Sequence, residues 1–219
     1  MNTNYLDIRD KCRKGLLKYL GKALSIIPLI ENSQILDAGC GTGVPTIFIA
    51  EKMEGNIMAV DSDAESIAIL KAKLRKYKLY NKVSVNNCSL FDLYAEDYQF
   101  DLILAEGILN VVGFRKGFLK IAGLLKNGGY MIIHDELEDR VNKMDIIGKH
   151  GCKILESFVL DEGIWWNEYY KCLEREIYSG SNKALTDFFK SDLSEIEQFR
   201  KDPSGFNSIY YIIEKQPVP

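Results

Sequence analysis

A carboxylate and three glycines carry the first chemistry in this 219-residue chain. Asp37-Ala-Gly-Cys-Gly-Thr-Gly43 follows the apolar pair Ile35-Leu36 and leads through Pro45 into an apolar helical pattern, Thr46-Ile-Phe-Ile-Ala50. That is the order of a strand, a tight turn and a helix. Glycines at every second position let the backbone take positive φ and let a ligand lie against it. Pro45 suits a first helical turn, where its missing N–H costs nothing. The free N–H groups of a helix start favour an anion or the polar tail of a ligand. Two more titratable residues end apolar runs: Asp61 after Ile57-Met-Ala-Val60, and His134 after Tyr130-Met-Ile-Ile133. The pattern predicts a nucleotide-like cofactor held at one edge of a sheet.

The glycine spacing narrows the cofactor. A dinucleotide site wants G-x-G-x-x-G/A with an acid some way downstream. Counted from Gly39 and Gly41, Val44 stands where the third small residue is needed, and the spacing present is G-x-G-x-G. An acid just before the turn also sits badly beside a pyrophosphate. It suits a ligand with an ammonium group, and S-adenosylmethionine carries an amine, a carboxylate, a ribose and an adenine.

The elements that must hold these residues alternate. Strands are expected at 34–37, 57–60, 83–85, 100–105 and 130–134, with helices over about 45–53, 64–78 and 115–125 and a turn at Asn127-Gly-Gly129. Asp63 is placed to cap the second of those helices, whose Lys71, Lys73, Arg75, Lys76 and Lys78 read as a solvated outer face rather than a nucleic-acid patch. Alternation of this kind means β-α-β units and a parallel sheet. Sixth and seventh strands are expected at 154–160 and 208–214. The expected fold is therefore α/β, with a parallel sheet and about seven strands in all. It forms a single domain over 1–219, with N-terminal helices over 1–30 as a cap. The stretch 161–207 is read as a helical insert that serves as a lid, because both tryptophans and a run of tyrosines and phenylalanines fall there.

Bulk composition limits partners. A net charge of −3 and a pI near 5.6 remove the usual electrostatic warrant for nucleic acid. No apolar run approaches the length of a membrane span, and the N-terminus lacks the layout of a signal peptide. The five cysteines (12, 40, 88, 152 and 172) are odd in number and scattered, without a C-x-x-C pair. They read as reduced thiols of a cytoplasmic protein with no metal site. Nothing here fixes the oligomeric state, a homodimer included.

Asp37-Ala-Gly-Cys-Gly-Thr-Gly43 resembles motif I of the class I, Rossmann-like, S-adenosylmethionine-dependent methyltransferases. Asp61, Phe100-Asp-Leu-Ile-Leu104 and Leu124-Leu-Lys-Asn-Gly-Gly-Tyr-Met-Ile-Ile133 are similar to the later motifs of that family, in the family's order. The resemblance covers residues 30–135. It implies a three-layer, Rossmann-like sheet of about seven strands, mostly parallel with the last antiparallel, with S-adenosylmethionine as cofactor and S-adenosylhomocysteine as product. It places Asp37 and the turn at Gly39, Cys40 and Gly41 at the methionine part, and Asp61 at the ribose. Ser62, Ser89 and Leu90 fall at the adenine, although the family commonly has an acid where Ser89 stands. Glu106 faces the methionine end.

Acceptor signatures are sparser. The fourth strand runs into Ala105-Glu-Gly-Ile-Leu-Asn-Val-Val-Gly-Phe114 and not into the Asn/Asp-Pro-Pro-aromatic motif of enzymes that methylate planar nitrogens. Together with Trp165-Trp-x-x-Tyr-Tyr170, that stretch resembles a largely uncharacterised group of bacterial and archaeal methyltransferases taken to act on small molecules. No catalytic residue stands out. His134 reads as a general base or as a hydrogen-bonded structural residue, Tyr169 and Tyr170 as pocket walls or packing, and Tyr5 and Arg9 as groups that close over the cofactor. The expected function is methyl transfer to a small-molecule acceptor. A protein methyltransferase, or a cofactor-binding scaffold or sensor without catalysis, is the alternative.

Overall fold

The structure, a computed structural model, describes residues 3–28, 30–179 and 189–217. Part of the expected insert, residues 180–188, lies outside the described residues, as do residues 1, 2 and 29 of the expected cap. Two helices, α1 (Thr3–Arg13) and α2 (Leu17–Leu24), precede the first strand. Then strands and helices alternate: β1 (Ser33–Ala38), α3 (Val44–Lys52), β2 (Gly55–Asp61), α4 (Ala64–Lys76), β3 (Val83–Asn87) and β4 (Phe100–Glu106). After them come α5 (Leu109–Val112), α6 (Phe114–Leu124), β5 (Leu125–Glu136), α7 (Arg140–Lys149) and β6 (Cys152–Leu160). Before the last strand, β7 (Ser208–Lys215), lie α8 (Glu162–Trp165), α9 (Lys171–Tyr178) and α10 (Lys190–Lys201).

The seven strands form one sheet in the order β3-β2-β1-β4-β5-β7-β6. β1 to β5 pair in parallel, and β7 runs antiparallel to both β5 and β6. The expected sheet is therefore present, last strand included. Neighbouring residues on one strand face opposite layers. Ile35, Leu102, Ile132 and Ile212 pack with α1 to α4 and the 162–206 stretch, whereas Leu36, Ile103, Ile133 and Ile213 pack with α5 to α7. Asp63 caps α4 as expected, accepting from the N–H groups of Glu65 and Ser66. Among the described residues no helix is long and apolar enough to cross a membrane.

Three expectations are corrected. Asn127-Gly-Gly129 does not end an element but bulges out of β5: Leu125 pairs with Phe100 and Tyr130 with Leu102. Gly128 takes a φ of +75° there, and Lys126 Nζ grips Asp101 at 2.8 and 2.9 Å. Second, Lys73 does not belong to the solvated face of α4; it turns inward to an ion pair with Asp10 on α1. Third, Cys12 and Cys172 form a disulfide, with Cα atoms 5.5 Å apart, that ties α1 to α9. The two cysteines are 160 residues apart in sequence, so no local spacing announces the pair.

Candidate functional site

The glycine turn uses up its own donors. Gly39, Gly41 and Gly43 all have positive φ, at +73°, +51° and +83°. The N–H groups of Gly39 and Cys40 both donate to the Val60 carbonyl, at 2.9 and 3.0 Å, and that of Gly43 donates to the Cys40 carbonyl at 2.9 Å. Gly41 N–H donates to Asp61 Oδ2 at 2.8 Å. These four donors are taken up within the turn. Open space and negative charge remain instead. A side chain on Gly41 would meet nothing within 4 Å, so the turn presents bare backbone there. At Gly39 a Cβ would collide with Ile108, and at Gly43 with Leu70 of α4.

Asp61 is half-buried at the end of β2, and each of its oxygens takes one backbone donor: Gly41 N–H on Oδ2 and Asp63 N–H at 2.9 Å on Oδ1. A carboxylate oxygen has two acceptor positions. Each therefore keeps one, a match for two vicinal hydroxyls. Asp37 sits deeper, 2% exposed, with Thr46 Oγ1 donating to it at 2.5 Å. Burial pushes its pKa up to about 7, against the lowering by the Thr46 hydrogen bond. Cys40 is buried beside it, and burial raises its thiol pKa. Ser62 is exposed. Ser89 caps the short helix Leu90–Asp92: its Oγ accepts from Phe91 N–H at 3.2 Å while its own N–H donates to Asp92 at 3.0 Å. Leu90 is buried in the core layer under that helix.

One strand over, the chemistry changes. Glu106, at the end of β4, accepts a hydrogen bond from Tyr210 O–H at 2.5 Å, and the surrounding protein raises its pKa against the pull of Arg13. His134 lies near the carboxyl end of β5, 6% exposed, with its ring stacked on Tyr210 at 4.2 Å and on Trp165 at 5.9 Å. His134 Nε2 lies 2.8 Å from Ser208 Oγ, which also accepts from Trp165 Nε1–H at 3.0 Å. Burial, helped by Arg13, lowers the imidazole pKa to about 3. Tyr169 and Tyr170 are buried by the one-turn π-helix Trp166–Tyr170, and Tyr170 O–H donates to Glu195 at 2.6 Å. Burial raises the pKa of both phenols.

These groups border a cleft of about 450 Å³ at the carboxyl ends of β4 and β5. Arg9 and Arg13 enter it from α1, Asn110 from α5, and Trp165, Tyr169 and Phe206 from the stretch before β7. A narrow neck lined by Arg13, Leu16, Pro45, Glu106 and His134 continues from it toward the glycine turn. The structure thus brings together Asp37, Cys40, Asp61 and the glycines on one side, and Glu106, His134, Tyr169 and Tyr170 on the other. Tyr5 and Arg9 do not lie over the turn; both bind Asp192 of α10, at 2.9 and 3.1 Å. Sequence reasoning missed Arg13, Ser208 and Tyr210. Arg13 sits among lysines that read as a solvated helix face, and Ser208 and Tyr210 lie in what reads as an ordinary strand.

α1 is also clasped to the turn itself. Asp10 receives Thr42 Oγ1–H at 2.6 Å and the Lys73 ammonium, while Lys73 also donates to the Thr42 carbonyl at 3.0 Å.

Comparison with known proteins places this geometry. A family model described as a methyltransferase domain matches residues 29–176. The chain is 28% identical over 143 residues to the ribosomal protein L11 methyltransferase of Ruminiclostridium cellulolyticum, covering 65% of this chain and 44% of that protein. It is 28% identical over 166 residues to the ribosomal RNA small subunit methyltransferase G of Acinetobacter baumannii, covering 73% and 76%. The solved structure of the cyclase SpnF superposes with a TM-score of 0.74 at 15% identity, over 92% of this chain and 82% of that one. The chain spans less than half the length of several curated relatives that it matches. These relatives are named for different acceptors, a ribosomal protein and a ribosomal RNA, so kinship does not choose the acceptor. By its matched model, its sheet order and its motif order, the chain belongs to the methyltransferase-domain family, in the class I, Rossmann-like, S-adenosylmethionine-dependent group.

Proposed function

We propose that the protein transfers a methyl group from S-adenosylmethionine to a small-molecule acceptor. The observation that carries the reading is the cleft of about 450 Å³ beside Glu106, walled by α1 on one side and by the stretch 162–206 on the other. Sites of that volume suit ligands of metabolite size. A surface for a folded macromolecule would be broad and open.

The donor side fits the sulfonium nucleotide on this chain's own terms. Asp61 has two free acceptor positions for the ribose hydroxyls, and bare backbone at Gly41 admits the chain that follows. Asp37 and Glu106 put negative charge beneath the methionine end, as an ammonium and a sulfonium require, and Leu90 and Ser89 lie at the adenine end. When bound there, the donor supplies an activated methyl group. The protein's part is to hold the acceptor atom near 3 Å and in line, and to keep water away. Residues 3–24, 162–179 and 189–206 act as the cap that does so, joined to each other by the Cys12–Cys172 disulfide and by Arg9 and Tyr5 on Asp192. His134, with its low pKa and its bond to Ser208, is a wall that orients the acceptor and not a strong base.

Calorimetry with S-adenosylhomocysteine and with NADH tests the donor. Binding of the first and not the second is expected, and no binding of the first sinks the proposal. Formation of S-adenosylhomocysteine in a metabolite panel then tests the acceptor class; turnover confined to a polypeptide or RNA acceptor would overturn it.

A further inference from the structure

The cleft contains one strong charge that the fold leaves unanswered. Arg13, the last residue of α1, lines both the cleft and the neck toward Glu106. Its Nη2 lies 4.0 Å from the point where a Cβ on Gly107 would stand, which puts the guanidinium against the loop leaving β4. Among the described residues it makes no hydrogen bond and no ion pair. Its neighbours are all provided for. Arg9 is paired with Asp192 at 3.1 Å, and Asp135 with Lys143 at 2.8 Å. Glu106 accepts from Tyr210, Glu136 accepts from Asn110 at 3.1 Å, and Glu195 accepts from Tyr170.

A guanidinium is always charged and offers five N–H donors in a planar fork that matches a carboxylate. Glu106 and Asp37 feel its charge, but neither is hydrogen-bonded to it or paired with it, so its donors stay open to an anion that enters the cleft. We propose that the acceptor is a small carboxylic acid, docked by its carboxylate on Arg13 with its apolar body against Trp165 and Tyr169. This rests on the methyl-transfer reading and adds the substrate class to it. An amine acceptor is the electrostatic opposite, but the carboxylates that would attract it already have a hydrogen bond or, for Asp135, the Lys143 ion pair, whereas Arg13 has neither. The methionine carboxylate of the donor is the other source of the same chemistry, and it is separable by experiment.

Benzoate, benzamide and benzylamine are near-isosteric probes with negative, zero and positive charge. Their binding to the intact protein is read by saturation-transfer NMR and calorimetry, with and without S-adenosylhomocysteine. Benzoate is expected to bind, with benzamide weaker by about tenfold as befits loss of a charge-assisted pair. Arg13→Gln is expected to erase that preference and Arg13→Lys to keep part of it, both with affinity for S-adenosylhomocysteine within about twofold of the parent. Equal binding of benzoate and benzamide overturns the proposal, as does a preference for benzylamine or a benzoate preference that survives Arg13→Gln. A loss of S-adenosylhomocysteine affinity in Arg13→Gln, with 5′-methylthioadenosine binding unchanged, assigns Arg13 to the donor and also overturns it. If the parent protein binds no S-adenosylhomocysteine, the methyl-transfer reading falls, and the benzoate result without that ligand still decides whether the cleft is an acid site.

Discussion

The two ends of the same sheet edge are built in different ways. At β1 and β2 the site is made of two short contiguous pieces, residues 37–46 and 61–63, and is held by backbone. The N–H groups of Gly39, Cys40 and Gly41 go to Val60 and Asp61, so strand, turn and Asp61 form one hydrogen-bonded unit. At β4 and β5 the cleft is assembled from side chains of α1, α5, β5, the π-turn, α10 and β7. Tyr210 reaches Glu106 across 104 residues and Tyr5 reaches Asp192 across 187. A site held by its backbone tolerates little change, whereas one assembled from remote side chains can change its occupant without disturbing its neighbour. If that contrast holds, changes on the first side should abolish donor binding outright, and changes on the second should leave it alone.

The largest effect is expected for Asp61→Ala. It removes two acceptors for the ribose and also the partner of Gly41 N–H. With charge-assisted hydrogen bonds worth about 1.5–3 kcal/mol each, donor affinity should fall on the order of 100-fold. Calorimetry with S-adenosylhomocysteine measures it, and a loss smaller than about threefold would break the account of the turn.

Asp37→Asn should show the same side of the molecule working against stability. Burial raises the pKa of Asp37 from the ordinary 3.8 to about 7 in the folded protein. The folded state therefore holds this proton more tightly than the unfolded chain does. Its contribution to stability is full below the unfolded pKa and is lost as pH rises through about 7. The amide keeps the Thr46 hydrogen bond and carries no charge to desolvate. At pH 8 the variant should be more stable than the parent by on the order of 2–4 kcal/mol, with the gap closing toward pH 4. Urea titrations across that range measure it. Donor affinity should fall in the same variant, because the carboxylate under the cationic end of the donor is gone.

The same contrast explains what the sequence reveals. The donor side is legible because each need is local: positive φ asks for Gly39, Gly41 and Gly43, and an acid must follow the β2 run. The β-α-β units and the parallel sheet were likewise readable, since apolar runs alternate with helical periods, while the antiparallel β7 was expected through the family resemblance. The acceptor side is not legible in that way. Arg13 differs from Lys11 and Lys14 only in that the fold aims it into the cleft, and Ser208 matters only because Trp165 and His134 converge on it. The Cys12–Cys172 pair escaped for the same reason, since only the packing of α1 on α9 brings the two together. Asn127-Gly-Gly129, read as a turn, was absorbed as a bulge because Tyr130 to His134 pair on both sides, with β4 and β7.

Cys172→Ser tests how the cap is held. The bond closes a loop of 160 residues between helices that otherwise meet through surface pairs such as Lys11–Glu176 at 3.1 Å. Its loss should cost about 2–4 kcal/mol in denaturant titrations, and a thiol reductant should remove the same amount from the parent. Non-reducing peptide mapping checks the pairing. A variant as stable as the parent would mean that the two helices hold together without it.

Trp165→Phe is the smallest and most discriminating change. Ser208 Oγ accepts the indole N–H at 3.0 Å and lies 2.8 Å from His134 Nε2. With its lone pair turned to the indole, the hydroxyl has its own hydrogen to give, and Nε2 is the acceptor within reach. A neutral His134, as its pKa of about 3 requires, then carries its proton on Nδ1. Phenylalanine keeps an aromatic ring against His134 and releases the hydroxyl. Stability should fall by about 1 kcal/mol, the worth of one hydrogen bond. Affinity for S-adenosylhomocysteine should not move, while KM for the acceptor rises and the ¹⁵N shifts of His134 become those of mixed tautomers. Unmoved shifts would show that Trp165 does not set the ring, and a weakened donor would show that the two sides of the edge are one site rather than two.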